Sequence, residues 1–493
     1  MLARLRASLL GVFVRLPWLG TALSLVVYGL GVVWRGLYVL RLHDPRKFVY
    51  SDMSLYVNLA KKFTRPGYKL TPNDITHPPG ATVVFSWLYK HDNTMSTMVW
   101  FQFAVCALTP LAVALLGWAL FGKRNAKIVL VLASIYFPFV EYGGFFLAEM
   151  QMILCIPLAL ALLIIAAKRE RMVAVVGVAL LGATVLSWAV ALKALSLLAG
   201  GIGGVVFLAF WSGAPFKKKL AVVLTMAIGL APVSIWLSDR CTTANEGHFC
   251  YSNNKNAADV LLGHYGRVQT ITWKNPKGGT FTFGNPSDYQ HGYTDKPVFH
   301  FGMTDSKANS DEAKRWMKAH PSQAVVLSLQ HVFDMYATSA WPSSATKEWQ
   351  IMAVYQYLFI AFIFFPACML LVDMLRKKGF RALLKSSELL VLAPFLGLVA
   401  AVMIATGEPR YRIPFDSLFI VVAVEFYQRW REGREAAPAV DEAMSILASP
   451  TSGTGGAAEQ AEVADSDVPD PSRDRDHPQP EADDLAGAER SGD

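Results

Sequence analysis

Carboxylates and basic side chains stand at the borders of several long apolar runs in this chain. Asp52 lies in SDMSLYVNLA, Glu149 in LAEMQ and Lys193 in ALKALSLL, while Arg410 and Arg412 share EPRYRIP. A carboxylate within hydrogen-bond reach can take a proton from a hydroxyl, and arginine or lysine can hold a phosphate. Brought together by a fold, these side chains could transfer a group to a hydroxyl.

Each of these residues also has an ordinary structural interpretation. Asp52 could favour the positive end of a helix, Glu149 could be a solvated loop acid, and Lys193 could extend to lipid headgroups. The two arginines could bind lipid headgroups, or pair with the acids nearby, which are Glu408 and Asp416. His77, which precedes two prolines, could be structural.

The composition predicts a polytopic, all-α membrane protein. The 493 residues are 53% hydrophobic and 17% charged, with a positive mean hydropathy. Apolar runs of about 18 or more residues cross the hydrocarbon core as helices. About ten such runs are predicted, at 18–40, 97–121, 128–145, 150–167, 172–190, 195–211, 220–238, 351–373, 388–406 and 413–430.

Basic residues predict the orientation of these spans. Every second connection is short and basic, as in KKK at 217–219, and the positive-inside rule places such connections in the cytoplasm. Both termini are then cytoplasmic, and the candidate site residues fall on the outer face of an inner (plasma) membrane. Acids and bases at membrane depth are costly, so their convergence on one side favours an outward-facing active site.

The net charge of +8 combines a basic membrane part with an acidic tail. Residues 435–493 contain 15 acids and three arginines, a net charge of −12 (3 − 15), so residues 1–434 carry +20 (8 + 12). The basic excess is a topology signal and does not indicate nucleic-acid binding. Two parts are therefore predicted: a transmembrane domain at 1–433, and a disordered acidic cytoplasmic tail at 434–493.

Two outer segments, 41–96 and 239–350, are long enough to hold structure. In the first, 51–63 has the apolar spacing of an interfacial helix, and 78–90 is predicted as a second one. The second segment is predicted to mix loops, amphipathic helices and a strand at 280–284. Near its start, Cys241 and Cys250 could form a disulfide in an oxidising compartment or remain free.

An ordered set of motifs resembles the GT-C-fold membrane glycosyltransferases. SDMSLYVNLA after the first span is similar to the first outer loop of the branch that uses polyprenyl- or dolichyl-phosphate sugars, such as protein O-mannosyltransferases and aminoarabinose transferases. THPPG, LAEMQ, ALKALSLL and EPRYRIP resemble further family elements in the same order. Gln151 stands where many relatives have proline, and a soluble C-terminal domain that could indicate the acceptor is not recognised.

The resemblance implies a sugar donor linked to a polyprenyl phosphate. Asp52 is then the general base, and the sugar is transferred with inversion in a single displacement. Glu149 is assigned to acceptor positioning or metal coordination, because a retaining reaction would need it as a second, close carboxylate. A divalent ion near Asp52, Glu149 and His77 is conceivable, but no metal or other cofactor is required.

The remaining assignments concern substrate binding. Lys193, Arg410 and Arg412 would bind the phosphate, since cations stabilise the charge left on it. Tyr56 and Tyr411 would line the sugar pocket, and His77 belongs to the same binding set. Membrane lipids surround the site. The sugar is not indicated, and neither is the acceptor, which could be a glycan, a lipid or a protein.

Two other classes of function stay open. A transporter or flippase of lipid-linked sugars would need charged residues near the centres of its spans, and Arg35 is the main candidate for one. A non-catalytic scaffold would use 239–350 to bind partners, and substitution of Asp52 would then affect no sugar transfer.

Overall fold

The computed structural model describes residues 17–276, 278–285, 288–337 and 348–448. These residues are mainly helical. The α-helices are α1 Pro17–Leu37, α2 Ser51–Phe63, α3 Gly80–His91, α4 Ser96–Phe121, α5 Lys123–Ile135, α6 Phe137–Glu141, α7 Ala148–Lys168, α8 Met172–Leu192, α9 Leu195–Val205, α10 Phe216–Ala244, α11 Asn256–His264, α12 Asp288–His291, α13 Ser306–Ala319, α14 Pro321–Asp334, α15 Trp349–Phe359, α16 Phe365–Lys378, α17 Phe380–Leu384, α18 Ser387–Ile404, α19 Pro409–Arg412 and α20 Asp416–Ala448. The strands are β1 Thr270–Lys274, β2 Thr280–Gly284 and β3 Val298–Phe299.

In the described part of the chain, seven helical stretches are long and apolar enough to cross a membrane. They are Leu19–Lys47, Ser96–Phe121, Ala148–Lys168, Met172–Leu192, Phe216–Ala244, Trp349–Lys378 and Ser387–Ile404. An eighth is the pair Lys123–Ile135 and Phe137–Gly144, if its two helices, bent by 59°, count as one span. The multi-pass helical class predicted from the sequence is therefore confirmed, whereas the count of ten is not.

The two remaining predicted spans, at 195–211 and 413–430, are not among these helical stretches. The run at 195–211 forms only the shorter apolar helix Leu195–Phe210. The run at 413–430 lies at the start of α20, where five charged residues fall within Asp416–Gly433. The α20 helix continues to Ala448, past the predicted start of the tail at 434, and residues 449–493 lie outside the described residues.

Arg35 stabilises the break between α5 and α6. Its guanidinium donates to the backbone oxygens of Ser134 and Ala133, at 2.6 and 2.8 Å, at the end of α5. Those carbonyls have no partner within their own helix, and the negative end of the helix dipole favours a cation there. Pro138, at the start of α6, is placed where a proline is tolerated. The buried charge of Arg35 thus has a structural role.

The first outer loop forms the two helices predicted for it. In α2, the buried residues Met53, Tyr56, Val57 and Ala60 recur at helical spacing and join the main hydrophobic core. The helix is thus covered by protein on its apolar face. Pro79 precedes α3 immediately, as expected for a proline at a helix start.

The second outer segment contains a three-stranded sheet in the order β2-β1-β3. Strand β1 is antiparallel to β2 and parallel to β3. A small core forms beneath it around Ile271 and Trp273, against α11 and α13. The mixed character and the strand at 280–284 are as predicted. Cys241 and Cys250 form a disulfide where α10 enters this segment.

Glycine allows this segment to clamp the loop that leads into α19. A Cβ at Gly407 would lie 1.7 Å from the backbone oxygen of His331 in α14, and one at Gly263 in α11 would lie 1.8 Å from the backbone oxygen of Ala405. Only a residue without a side chain allows backbones to approach so closely. The position of α19 therefore depends on these two contacts.

We expect Gly407→Ala to displace this loop. The free energy of unfolding should fall by about 1–3 kcal/mol or more, the usual cost of overpacking. Thermal unfolding in detergent measures the effect. Gly177→Ala in α8 is the control, because a Cβ there meets nothing within 4 Å. Equal melting temperatures for the two variants would contradict the clamp.

Candidate active site

The site is assembled from the ends of five helices. Asp52 lies in the first turn of α2 and Glu149 in the first turn of α7. His77 lies just before α3, Lys193 just after α8, and Arg410 in α19. Helix ends bring polar groups together because each helix can remain apolar along its length.

Asp52 and Arg410 form the central contact. Arg410 Nη1 donates to Asp52 Oδ2 at 2.8 Å, and both residues are buried. His77 Nε2 lies 3.6 Å from the other carboxylate oxygen, Oδ1, which is ion-pair range but too long for a hydrogen bond. Tyr56 is one turn along α2, and its ring meets that of His77 edge-on at 5.5 Å.

The pKa of the Asp52 carboxyl is held well below its usual range. Burial alone would raise this pKa, but Arg410 and His77, with a smaller effect from Lys255, outweigh it. Asp52 is therefore a carboxylate across the physiological pH range. Oδ2 is bound to the guanidinium, so Oδ1 is the oxygen that can accept a further proton.

Backbone strain occurs beside this acid. Ser51 has a φ of 47°, in the left-handed region that residues other than glycine rarely adopt. Such strain is maintained only where surrounding contacts fix the chain, and it clusters at functional sites.

The guanidinium of Arg410 contacts three neighbours. Its Nε donates to Glu408, and its Nη2 lies 3.4 Å from the Tyr411 hydroxyl, in addition to the bond with Asp52. Burial raises the pKa of Glu408 more than Arg410 and Lys193 lower it. Glu408, which the sequence suggested only as a partner for an arginine, is the carboxyl here that protonates most readily.

Buried Glu149 and partly buried Lys193 form a second ion pair, at 2.6 Å between Oε1 and Nζ. Lys193 Nζ also lies 4.6 Å from the centre of the Tyr411 ring, whose other neighbour is the Arg410 guanidinium at 5.2 Å. The Tyr411 ring thus lies within cation–π distance of both cations, and this interaction is favourable for each of them.

Gly80 fixes the position of the loop that carries His77. A Cβ at Gly80 would lie 2.6 Å from the backbone carbon of Ala191, next to the end of α8. The start of α3 therefore touches the backbone that leads into Lys193. This contact brings the first outer loop to the phosphate-binding candidates.

A cleft of about 370 Å³ connects these groups. Its lining combines charged residues, among them Asp52, Lys193 and Arg410, with apolar side chains of α9 and α18 such as Leu198 and Ile404. Tyr56, His77 and Tyr411 also line it. A ligand that fills this cleft has a charged head and an apolar extension.

Lys255 is a residue of the site that sequence reasoning missed. It lines the cleft and is 8% exposed, and its Nζ lies 3.2 Å from Asp259 Oδ1 and 3.6 Å from the centre of the Phe283 ring. In the sequence it belongs to the polar run NNKNAAD, which is typical of a solvated loop. No local pattern distinguishes it from a surface lysine.

Arg412 is not part of this cluster. It pairs with Asp416 at 2.8 Å, donates to Gln356 at 2.8 Å and lies 4.1 Å from the centre of the Phe359 ring. Arginine and aspartate are 1% and 0% exposed, and neither lines the cleft. This arginine ties α19 to α20 and α15, which is the structural alternative that the sequence left open.

Among the described residues, no group of three or more His, Cys, Asp or Glu side chains is arranged to hold a metal ion. Asp52 and Glu149 are each occupied by a basic partner instead, as Arg410 and Lys193 contact them directly.

No protein-family model and no curated protein matches the chain. Solved structures of the oligosaccharyltransferase of Archaeoglobus fulgidus are similar to it. The complex with an inhibitory peptide and a dolichol-phosphate gives a TM-score of 0.49 and 12% identity, over 86% of this chain and 52% of that chain.

The apo form gives a TM-score of 0.48 at 12% identity, over 85% of this chain and 52% of that one. The form tethered to an acceptor peptide gives 0.49 at 12% identity, over 87% and 52%. The chain thus spans about half the length of these proteins. TM-scores below 0.5 support no inference about function, so the site is interpreted from its own residues.

We expect the Arg412–Asp416 pair to stabilise the fold and not to bind phosphate. Arg412→Met should cost about 3–5 kcal/mol, because it leaves a buried carboxylate unpaired. The double variant Arg412→Met/Asp416→Leu should cost less than the sum of the two single variants. Thermal unfolding measures all three.

The control is Arg315→Met, which breaks a pair whose arginine is 76% exposed and should change stability by under about 1 kcal/mol. Additive costs in the double variant would contradict a direct pair. Loss of polyprenyl-phosphate binding in folded Arg412→Met protein would indicate that Arg412 does bind the phosphate.

Proposed function

We propose that the chain is a GT-C-type integral-membrane glycosyltransferase that moves a sugar from a polyprenyl-phosphate donor to an acceptor hydroxyl. The observation that carries this proposal is the contact of Asp52 with Arg410 in a cleft lined by both charged and apolar residues. The charged residues of this cleft suit a sugar phosphate, and its apolar residues suit the start of an isoprenoid chain.

The reaction is a single displacement at the anomeric carbon. The acceptor O–H gives its proton to Asp52, its oxygen bonds to the anomeric carbon, and the bond from that carbon to the phosphate oxygen breaks. The bonding electrons leave with the polyprenyl phosphate. Because a phosphate ester is a weakly basic leaving group, it needs cations and not a proton, and Arg410 and Lys193 supply them.

Arg410 couples proton transfer to Asp52 with departure of the phosphate. Its charge lowers the basicity of Asp52 while the site is empty of substrate. As negative charge grows on the departing phosphate, it offsets the field of Arg410 at Asp52, and the carboxylate becomes a stronger base. Proton uptake is then favoured when the glycosidic bond breaks.

The other two carboxyls position cations. Glu149 holds Lys193 beside Tyr411, and Glu408 holds Arg410. Glu408 has a raised pKa, so it can lose its charge on protonation when a phosphate occupies the guanidinium. Inversion follows from a single displacement in which neither acid bonds to the sugar.

We place the site on the outer face of the plasma membrane, with both termini in the cytoplasm, on the strength of the basic connections. Transport is less favoured, because Arg35, the main charged residue within a span, is bound to carbonyl oxygens at the end of α5. A scaffold would not need an acid and a base to share a cleft.

We expect Asp52→Asn to lower sugar transfer from a polyprenyl-phosphate donor by about 10²- to 10⁴-fold, the usual contribution of a general base. Binding of polyprenyl phosphate should persist, since Arg410 and Lys193 remain. The measurements are a radiolabelled transfer assay and lipid binding in nanodiscs. Asp311→Asn, an exposed acid on α13, is the matched control. Full activity in Asp52→Asn would remove the base assignment.

The pH dependence of the reaction tests Asp52 as the base. A carboxylate with a depressed pKa is active above that pKa and loses activity only as the pH falls through it. We therefore expect kcat/KM to stay level from about pH 8 to pH 5. A fall of kcat/KM within this range would contradict Asp52 as the base.

A further inference from the structure

A second cleft shares His77 with the first one. It has a volume of about 340 Å³ and lies between the first outer loop and the sheet of the second outer segment. Thr76, His77 and Lys255 line both this cleft and the first one. The two spaces therefore meet at the group that lies 3.6 Å from Asp52.

Strand β2 gives the second cleft an aromatic wall. Phe281 and Phe283 are two residues apart and so lie on the same face of the strand. Their ring centres are 6.3 Å apart and the ring planes are inclined by 13°; we call this nearly parallel pair the aromatic ledge. Phe281 is 41% exposed, so its ring is open to a ligand.

The polar groups around this ledge are mostly neutral. Asn73 and Thr76 come from the first outer loop, and Asn275, Thr280 and Thr304 from the second segment. Amides and hydroxyls both donate and accept hydrogen bonds. Lys255 and His77 are the ionisable side chains among the described residues that line this cleft, and both lie at its junction with the first cleft.

The floor of the cleft is rigid. Trp273 is 2% exposed and its Nε1 donates to Asn309 at 2.9 Å. It lies in β1, which is hydrogen-bonded to β2 over the whole length of the aromatic strand. The ledge is thus held in place before any ligand arrives, which lowers the entropic cost of binding.

We infer that the second cleft binds the acceptor, and that the acceptor is a saccharide. The inference deepens the proposed function and rests on it. A sugar ring has an apolar face that stacks on an aromatic ring and an edge of hydroxyls that match neutral amides and hydroxyls. The acceptor hydroxyl would enter at His77 and reach Oδ1 of Asp52, while the donor phosphate is held on the other side by Arg410.

The residues of this cleft favour a saccharide over the other acceptors. A lipid acceptor needs an apolar channel, and here the apolar side chains, three aromatic residues with Leu55 and Met303, share the lining with amides and hydroxyls. A peptide acceptor would need backbone partners, and the outer edge of β2 could pair with an extended chain because β2 is the first strand in the sheet order. That edge makes a peptide the alternative that the experiment has to test.

Saturation-transfer NMR on the full-length protein in detergent measures acceptor binding without any donor. The probes are neutral gluco- and manno-oligosaccharides of two to four units, and a serine-containing hexapeptide. We expect saccharide signals with the wild type and a loss of about tenfold in affinity for Phe281→Ala. Phe333→Ala is the control, a 73% exposed aromatic on α14 that lines neither cleft.

The outcomes separate the two proposals. Saccharide binding that depends on Phe281 supports the acceptor site even if Asp52→Asn retains transfer, in which case the proposed base fails alone. Peptide signals without saccharide signals overturn the saccharide inference and leave the transferase proposal standing. Saccharide binding equal in Phe281→Ala and Phe333→Ala overturns the location of the subsite.

Discussion

The bond between Asp52 and Arg410 is the interaction around which the site is organised. It joins residues 358 positions apart in the chain, at 2.8 Å between Nη1 and Oδ2. Neither charge could be buried alone, because removing an ion from water costs several kcal/mol unless a partner compensates. This ion pair therefore holds the first outer loop against the segment before α20. Close backbone approaches hold the neighbouring segments: Gly80 contacts Ala191 at the end of α8, and Gly407 contacts His331 in α14.

Charge pairing also explains how one short segment serves two purposes. In EPRYR, Arg410 reaches into the cleft, whereas Arg412 is locked to Asp416. Two residues along a helix differ by about 200° around its axis, so one faces the cleft and the other the interior. A site made of paired charges is close to neutral before substrate arrives. An incoming phosphate then competes for cations that are already fixed in place, and needs little reorganisation to bind them.

Much of this arrangement was accessible from the sequence. The length of the apolar runs predicted most spans, and helical spacing predicted α2. The positive-inside rule assigned Asp52, His77, Lys193 and Arg410 to one side of the membrane. The structure brings these four residues to one cleft. Tyr56 and Tyr411 also line this cleft. The signal was strong because ionisable groups beside apolar runs are rare.

The rest depends on tertiary contacts that leave no local pattern. The direction of Arg412 requires knowledge of where α19 begins and what packs beside it. Lys255 and the aromatic ledge of β2 become parts of a site only when the second outer segment folds over the first. The predicted span at 413–430 is not confirmed, because five charges lie in the first eighteen residues of α20, which apolar counting alone does not weigh.

The central claim is that Arg410 and Lys193 hold a lipid phosphate beside Asp52. An electron cryomicroscopy structure with a bound polyprenyl phosphate tests it directly. We expect phosphate density within hydrogen-bond distance of both cations, the isoprenoid along the apolar wall near Leu198, and Asp52 Oδ1 facing the position of the anomeric carbon. Phosphate density away from Arg410 and Lys193, with their pairs to Asp52 and Glu149 intact, would contradict the account.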